Sequence, residues 1–366
     1  MKILEILSDT NRGGAGVYLE NYIAHAAPDM EILVALPEGA AMADRLKAAG
    51  AQVVECALQG DRSYDKRDVE TLRVCIETFS PDLVHTHGSL SGRIAARRAG
   101  RCKTVYTKHT LSEPRKGLKG RVAAMMDDRL TDAVIAVSNA ARENLLEDGV
   151  KHEKIHRIYN GITGFAPADV AQKCAARRAL GLSPESVVAA CVARLEPVKN
   201  HEMLLAAFSM AAVQNPFLTL LLCGDGSLRR QLEAQAAALP GGDRIIFLGE
   251  RESVAQIYAA ADLFVLTSHS ENLPLTVLEA MSAGLPSLLT NVGGMAEVAG
   301  EDKTALFTAP EKKERTARAL LELAGDQTLR DRLGKAARQR FEEQFTAQVF
   351  ARQTDSLYRK LVTGCE

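Results

Sequence analysis

Short apolar runs alternate with amphipathic stretches along the whole chain. In the first half the runs are Lys2–Leu7, Glu31–Leu36, Gln52–Leu58, Leu83–His87, Thr104–His109, Ala133–Ser138 and Ile155–Tyr159. They are nearly continuously apolar, the pattern of strands covered by helices on both faces. Helical periodicity fills most gaps, as in Val17–Ala27, Val69–Phe79 and Gly120–Leu130. Strand and helix in alternation predict βαβ units and a parallel sheet. The theme repeats in Val187–Val192, Leu218–Cys223, Ile245–Leu248, Leu263–Leu266, Pro286–Leu289 and Ala305–Thr308. Between the two sets, Thr163–Glu185 carries GFAP, a basic helix-like stretch and LSPES, with turn signals at both ends, and reads as the domain connection. From about Glu311 the chain reads as helical and strongly charged. The class is therefore α/β, with two doubly wound sheets over residues 1–163 and 164–345. Such sheets bind ligands at the carboxyl ends of their strands, so facing domains are expected to enclose one cleft.

Composition narrows this picture. A chain of 366 residues suits two domains at about 100–200 residues each. A net charge of -1 argues against a nucleic-acid partner. No apolar run approaches the roughly 18 residues of a membrane span. The start, MKILEILSDTNRGG, lacks a signal peptide's long apolar region and cleavage site, and reads as a first strand. The seven cysteines are scattered, without zinc spacing, and Cys191 and Cys223 sit inside strand-like runs as small hydrophobes. A reducing cytoplasm is the expected compartment.

Four stretches at strand ends carry candidate chemistry. Gly13-Gly14-Ala15-Gly16 follows the first strand and opens a helix, where free amides suit a phosphate; a plain tight turn accounts for it equally well. It lacks the Gly-x-Gly-x-x-Gly spacing of a dinucleotide site. In Ala193-Arg194-Leu195-Glu196-Pro197-Val198-Lys199-Asn200, Arg194 and Lys199 flank a loop from which two cations can clamp a diphosphate; a solvated loop is the alternative. In the stretch Ser268–Met281, Glu271 stands before a helix that starts near Pro274, and Glu279 lies inside it among Leu278, Ala280 and Met281. A carboxylate there needs partners, which ribose hydroxyls would supply, unless both acids are an ordinary cap and a surface residue. The fourth is Tyr106-Thr107-Lys108-His109-Thr110, whose His109 either meets a sugar or is structural. His85 and His87 also approach a strand end, but no nearby Asp or Glu completes a metal triad. Gly224-Asp225-Gly226 and Gly249-Glu250 follow buried strands and either line a nucleotide pocket or simply turn the chain.

Taken in order, these motifs resemble glycosyltransferase family 4, the large retaining family with the GT-B fold. The resemblance rests on GG after strand one, KH at strand five, AVIAVS, IYNGI, ARLEPVKN, CGDGS, FLGE, ENLPLTVLEAMSAGLP and VGGMAEV, and covers essentially the whole chain. It implies that Arg194 and Lys199 bind the donor diphosphate, that Glu271 contacts the transferred sugar and that Glu279 holds the ribose. It further implies that amides of Leu273 and Leu275 touch sugar or phosphate, that Gly14 lets the acceptor loop approach, and that His109 sits near the reaction centre. Asn272 stands where many members carry Gly, a departure that bears on sugar selection. The GT-B plan also implies a final helix, near Thr346–Val362, packed back on the first domain.

The implied reaction is retaining transfer from a nucleoside diphosphate sugar, a UDP-sugar by family habit, to a glycan or lipid-linked glycan. The donor is a substrate, so no cofactor is expected. The chain contains no Asp-x-Asp, in keeping with metal independence. The basic stretches Arg93–Lys103 and Arg115–Met126 suggest peripheral contact with anionic membrane, or merely a solvated basic face. A nucleotide-sugar epimerase and a non-catalytic sugar-binding protein are the competing readings.

Overall fold

The computed structural model describes residues 1–112, 117–300 and 303–364. They form two compact units: one holds Met1–Thr163 with the segment from Gln344 onward, the other Gly164–Glu343. The first contains β1 (Lys2–Leu7), β2 (Glu31–Pro37), β3 (Gln52–Cys56), β4 (Leu83–His87), β5 (Lys103–Lys108), β6 (Ala133–Ala136) and β7 (Ile155–Arg157). These strands are parallel and ordered β3-β2-β1-β4-β5-β6-β7. The second contains β8 (Val187–Val192), β9 (Leu218–Cys223), β10 (Ile245–Gly249), β11 (Leu263–Leu266), β12 (Ser287–Thr290) and β13 (Ala305–Thr308). Their order, β10-β9-β8-β11-β12-β13, is also parallel and reverses in the same way. Strand order turns back between β1 and β4 in one unit and between β8 and β11 in the other, where doubly wound sheets open a crevice.

Both faces of β1 are covered. Ile3 and Leu7 join Tyr18, Tyr22, Phe350 and Tyr358, while Leu4 and Ile6 join Leu72, Ile76 and Ala95. Glu5 alternates onto the face of Ile3 and Leu7, so a carboxylate lies inside this core with no exposure. The final helix, Ala347–Thr363, belongs to the same core, and its Asp355 accepts a hydrogen bond from Tyr22 Oη at 2.9 Å.

Some expectations shift. The first helix is Gly14–Ile23, beginning before Val17 because its opening turn is made of small residues. A Cβ on Gly16 would stand 2.6 Å from Met42 Cγ, so close packing selects glycine there. The predicted connection Thr163–Glu185 is largely part of the second unit. It contains the helix Val170–Ala179, opened by a capping box of Asp169 and Gln172, and Lys173 and Arg177 of that helix pair with Asp262 at 2.6 and 2.5 Å. Among the described residues, no helix is long and apolar enough to cross a membrane.

Candidate active site

The second unit gathers charge at the ends of β8 and β11. After β8, buried Leu195 anchors the loop, its N–H donating to the Asp225 carbonyl at 2.9 Å. Arg194 beside it is exposed and forms no ion pair among the described residues. A turn over Pro197–Lys199 then leads to Asn200, whose φ of 55° is left-handed, a conformation Asn tolerates better than most residues. The loop after β11 is tied to this turn. Thr267 Oγ1 donates to the Asn200 carbonyl at 3.2 Å, and the His269 N–H donates to the Val198 carbonyl at 2.8 Å. So tied, the loops bring Lys199 Nζ to 2.5 Å from Glu271 Oε1, and Ser268 Oγ donates to the same oxygen at 2.6 Å. The two side chains remain 17% and 10% exposed, so the pair is formed yet reachable. A lysine held this way can exchange its carboxylate for a phosphate oxygen, another strong anionic acceptor.

Glu279 sits in the helix Leu275–Ser282 and accepts a hydrogen bond from buried Tyr258 Oη at 2.7 Å. Burial, then the Glu279 charge, pushes the Tyr258 hydroxyl well above its usual range, so it stays a donor. Pro274 caps this helix from an extended conformation. Asn272 and Leu273 are buried, and Leu275 is half-buried. Gly224 has φ of 138°, and a Cβ there would lie 2.0 Å from the Ala193 carbonyl oxygen. The end of β9 thus passes directly against the backbone preceding Arg194, which only glycine permits. The Gly224 N–H donates to the Gly249 carbonyl at 2.9 Å, and Glu250 beyond it is exposed. Burial raises the Cys191 thiol to about 12, with Lys199 opposing and Cys223 and Glu271 reinforcing the shift. Burial likewise raises Cys223 to about 11, under the influence of Arg251, Glu279 and Glu250. Cys191, one residue before the end of β8, thus lies within reach of the Lys199 and Glu271 charges, and Cys223, the last residue of β9, within reach of those of Glu279 and Glu250.

In the first unit, Gly14 is exposed and a Cβ there would meet nothing, so packing does not demand glycine at that position. His109 follows β5, and its Nε2 lies 2.8 Å from His87 Nδ1. Beyond it the structure departs from the sequence-based expectation that His85 and His87 have no acidic neighbour. Parallel pairing sets Glu5 opposite His85, and Glu5 Oε2 stands 2.9 Å from His87 Nε2 and 3.2 Å from His85 Nδ1. Among the described residues, these three form a group able to offer a metal converging ligand atoms, all within 4.8 Å of one another. Their ring nitrogens also have hydrogen-bonding partners: His85 Nδ1 meets Tyr358 Oη at 2.5 Å and His85 Nε2 meets Thr107 Oγ1 at 2.8 Å. Tyr358 Oη donates to Glu5 Oε1 at 3.0 Å. Burial alone raises the Glu5 carboxyl, but the charges and hydrogen bonds of His85 and His87 prevail and hold it at about 2. Burial, reinforced by His85, lowers His87 to about 4. Burial also holds His109 well below the ordinary imidazole range, with His87 and His85 adding to the effect.

Sequence reasoning passed over Tyr258, Ser268, Glu5 and Tyr358. One signal was available: Glu5 is the only acid within the otherwise apolar run Ile3–Leu7. Of the basic stretches, Arg93 is buried against Asp127 at 2.6 Å and stacks over Tyr106, so it contributes nothing to a membrane-facing surface. Arg115 and Lys116 lie outside the described residues.

Comparison with known proteins places this geometry. The family model described as Glycosyltransferase Family 4 matches residues 12–163, and that described as Glycosyl transferases group 1 matches residues 172–340. The D-inositol 3-phosphate glycosyltransferase of Nocardia farcinica is 31% identical over 70% of this chain and 61% of its own. The UDP-Gal:alpha-D-GlcNAc-diphosphoundecaprenol alpha-1,3-galactosyltransferase of Escherichia coli is 33% identical over 63% of each. The matches thus span about three fifths of the length of these relatives. Among solved structures, Anabaena HepE in complex with UDP-glucose superposes with a TM-score of 0.85 at 24% identity, over 99% of this chain and 100% of that one. Sucrose-phosphate synthase from Thermosynechococcus elongatus gives 0.81 at 23% identity over the full length of both. These likenesses show the fold, the paired Rossmann-like sheets of GT-B. With its two halves matched in turn by the two models of one enzyme family, the chain belongs to the family 4 glycosyltransferases.

Proposed function

We propose that the chain transfers a sugar, with retention of anomeric configuration, from a nucleoside diphosphate sugar to a glycan or lipid-linked glycan acceptor. The observation that carries this reading is the Lys199–Glu271 pair, set at the switch point of the second sheet and partly open to solvent. Arg194 and Lys199 bind the diphosphate and stabilise the charge that develops on it as the glycosidic bond breaks. Glu271, released from Lys199, accepts hydrogen bonds from hydroxyls of the transferred sugar. Glu279, held by Tyr258, takes the ribose hydroxyls. Gly224 and Gly249 let backbone approach the donor, with Glu250, Asn272, Leu273 and Leu275 lining its pocket. The acceptor hydroxyl attacks on the face from which the diphosphate leaves, and a donor phosphate oxygen takes its proton.

A UDP-sugar is the first donor to try, because the Escherichia coli relative uses UDP-Gal and the Anabaena structure holds UDP-glucose. A lipid-linked acceptor is suggested by the diphosphoundecaprenol in the former's name, and exposed Arg97, Arg98 and Lys103 would favour anionic lipid. The purified chain should release nucleoside diphosphate from one member of a nucleotide-sugar panel when glycan acceptor is present. Release should persist in excess EDTA, with the donor's anomeric configuration kept in the product. Strict dependence on a divalent ion, or an inverted anomer, would contradict the mechanism.

A further inference from the structure

We infer that the cavity between β7 and the final helix is a phosphate-binding site, separate from the donor site, in which Arg352, Gln353 and Ser356 hold the phosphate of a small molecule or of a lipid headgroup. Both walls belong to the first unit, so the site stands whether or not the transfer reading does.

The helical period gives the final helix two faces. Phe350, Thr354 and Tyr358, one turn apart, are fully buried. Arg352, Ser356 and Lys360, spaced in the same way, lie on the outer side together with Gln353 and are exposed. Facing them is β7, which ends its sheet beside β6. The space between helix and strand is a cavity of about 680 Å³, the size of a small-molecule site. Among the described residues that line it, none is acidic.

The polar groups along this cavity have bonding capacity left. Arg352 donates through Nε to the Gln348 carbonyl at 3.3 Å, and its two terminal nitrogens make no hydrogen bond among the described residues. The Gln353 amide, the Ser356 hydroxyl and the half-buried His156 ring make none either. Lys360 adds charge: after burial, it is what lowers the His156 imidazole, so its field reaches across the cavity. A guanidinium offering two N–H groups, with a hydroxyl and an amide beside it, matches the geometry of a phosphate. Phosphate presents three acceptor oxygens to such a set, where a carboxylate presents two. Arg157 stands apart from the set. It stacks over Tyr159 at 4.6 Å and donates to Tyr159 Oη at 2.7 Å and to Asn139 Oδ1 at 3.2 Å.

Calorimetric titration with glycerol 3-phosphate, and co-sedimentation with vesicles of phosphatidylglycerol and phosphatidylcholine, test the site against its two sources of phosphate. A soluble ligand predicts binding of glycerol 3-phosphate and none of glycerol. A lipid headgroup predicts sedimentation with the mixed vesicles and none with phosphatidylcholine alone. In either case Arg352→Ala should weaken binding about ten-fold or more, the worth of hydrogen bonds to a charged group. Arg352→Lys should recover part of the loss, since it keeps the charge without the fork. Arg352 is exposed, so both replacements leave the core whole. Binding of neither probe would overturn the site, as would binding that Arg352→Ala and Ser356→Ala both leave intact. A loss in Lys199→Ala as large as that in Arg352→Ala would put the phosphate at the donor site instead and would also overturn it. Sugar transfer is not read in any arm, so failure here leaves the transfer reading standing.

Discussion

The two units share one topology and put opposite kinds of polar cluster at their switch points. In the first, Glu5, His85, His87 and Tyr358 are sealed in the core and bonded to one another. In the second, Lys199 and Glu271 form a single ion pair that solvent can reach, beside exposed Arg194. A sealed network of this kind holds protons in fixed places, because an unpaired buried polar group would cost too much to be left over. An open ion pair can let go of one partner for a ligand of like charge. The same fold thus supports a sealed polar cluster in one half and, in the other, a solvent-reachable ion pair, the one proposed above to receive an anion.

Acid should reveal the sealed half most strongly. His87 is lowered to about 4 from an ordinary 6.5, so between those values the unfolded chain binds a proton that the folded chain refuses. Stability is full above pH 6.5 and falls as pH drops toward 4, by an amount on the order of 3 kcal/mol for this one group. Buried His201 in the second unit, also lowered to about 4, adds a loss of the same sign. Glu5 acts lower still: its contribution is complete above its ordinary 4.5 and disappears as pH falls through about 2. Urea midpoints measured across this window should decline on acidification, and replacing His87 by Phe should flatten the decline. A decline left unchanged by His87→Phe would break the contrast between the halves.

The open half should answer in turnover. Arg194→Ala and Lys199→Ala are each expected to lower turnover about 100-fold, the usual worth of one lost charge-stabilising donor. Their thermal unfolding should change less than that of variants at His87. Near-normal turnover in both would remove these cations from the chemistry. The smallest effect belongs to Tyr258→Phe, which deletes one hydrogen bond to a carboxylate. A loss of about 1–3 kcal/mol is expected in stability or in nucleotide affinity, and calorimetry against UDP separates the two. An unchanged affinity would free Glu279 from any dependence on Tyr258.

Much of this arrangement was legible in the chain because it is written locally. Strand runs such as Lys2–Leu7, Leu218–Cys223 and Leu263–Leu266 stand out by apolarity alone, and the observed strands have the same bounds. Arg194, Lys199 and Glu271 announce themselves as polar residues just past strand ends. Lys199 and Glu271 are 72 positions apart, yet each sits where a β-strand hands over to a helix, so topology makes them neighbours. What escaped is the register between strands and the role of interior positions. The nearest acid in the sequence, Asp82, is taken by the Lys2 N–H, and the carboxylate at His85 arrives instead from β1 through the pairing of Glu5 with His85. The opening turn at Gly14 was hidden for a different reason, since small residues give no hydrophobic period to read. Asp262, which draws Lys173 and Arg177 onto the second unit, is likewise visible only in three dimensions.

Tyr358 closes on Glu5 from 353 positions downstream, with almost all of the chain between them. During synthesis from the amino end, residues 1–163 emerge with an acid and two imidazoles committed to an interior that lacks its last wall. That wall, the helix Ala347–Thr363, brings Phe350 and Tyr358 against Tyr18 and Tyr22 only after the entire second unit has been made. The amino-terminal segment is therefore expected to complete its core only after the helix Ala347–Thr363 has been made. By contrast Gly164–Glu343, continuous in sequence, has all its strands in hand and can mature first.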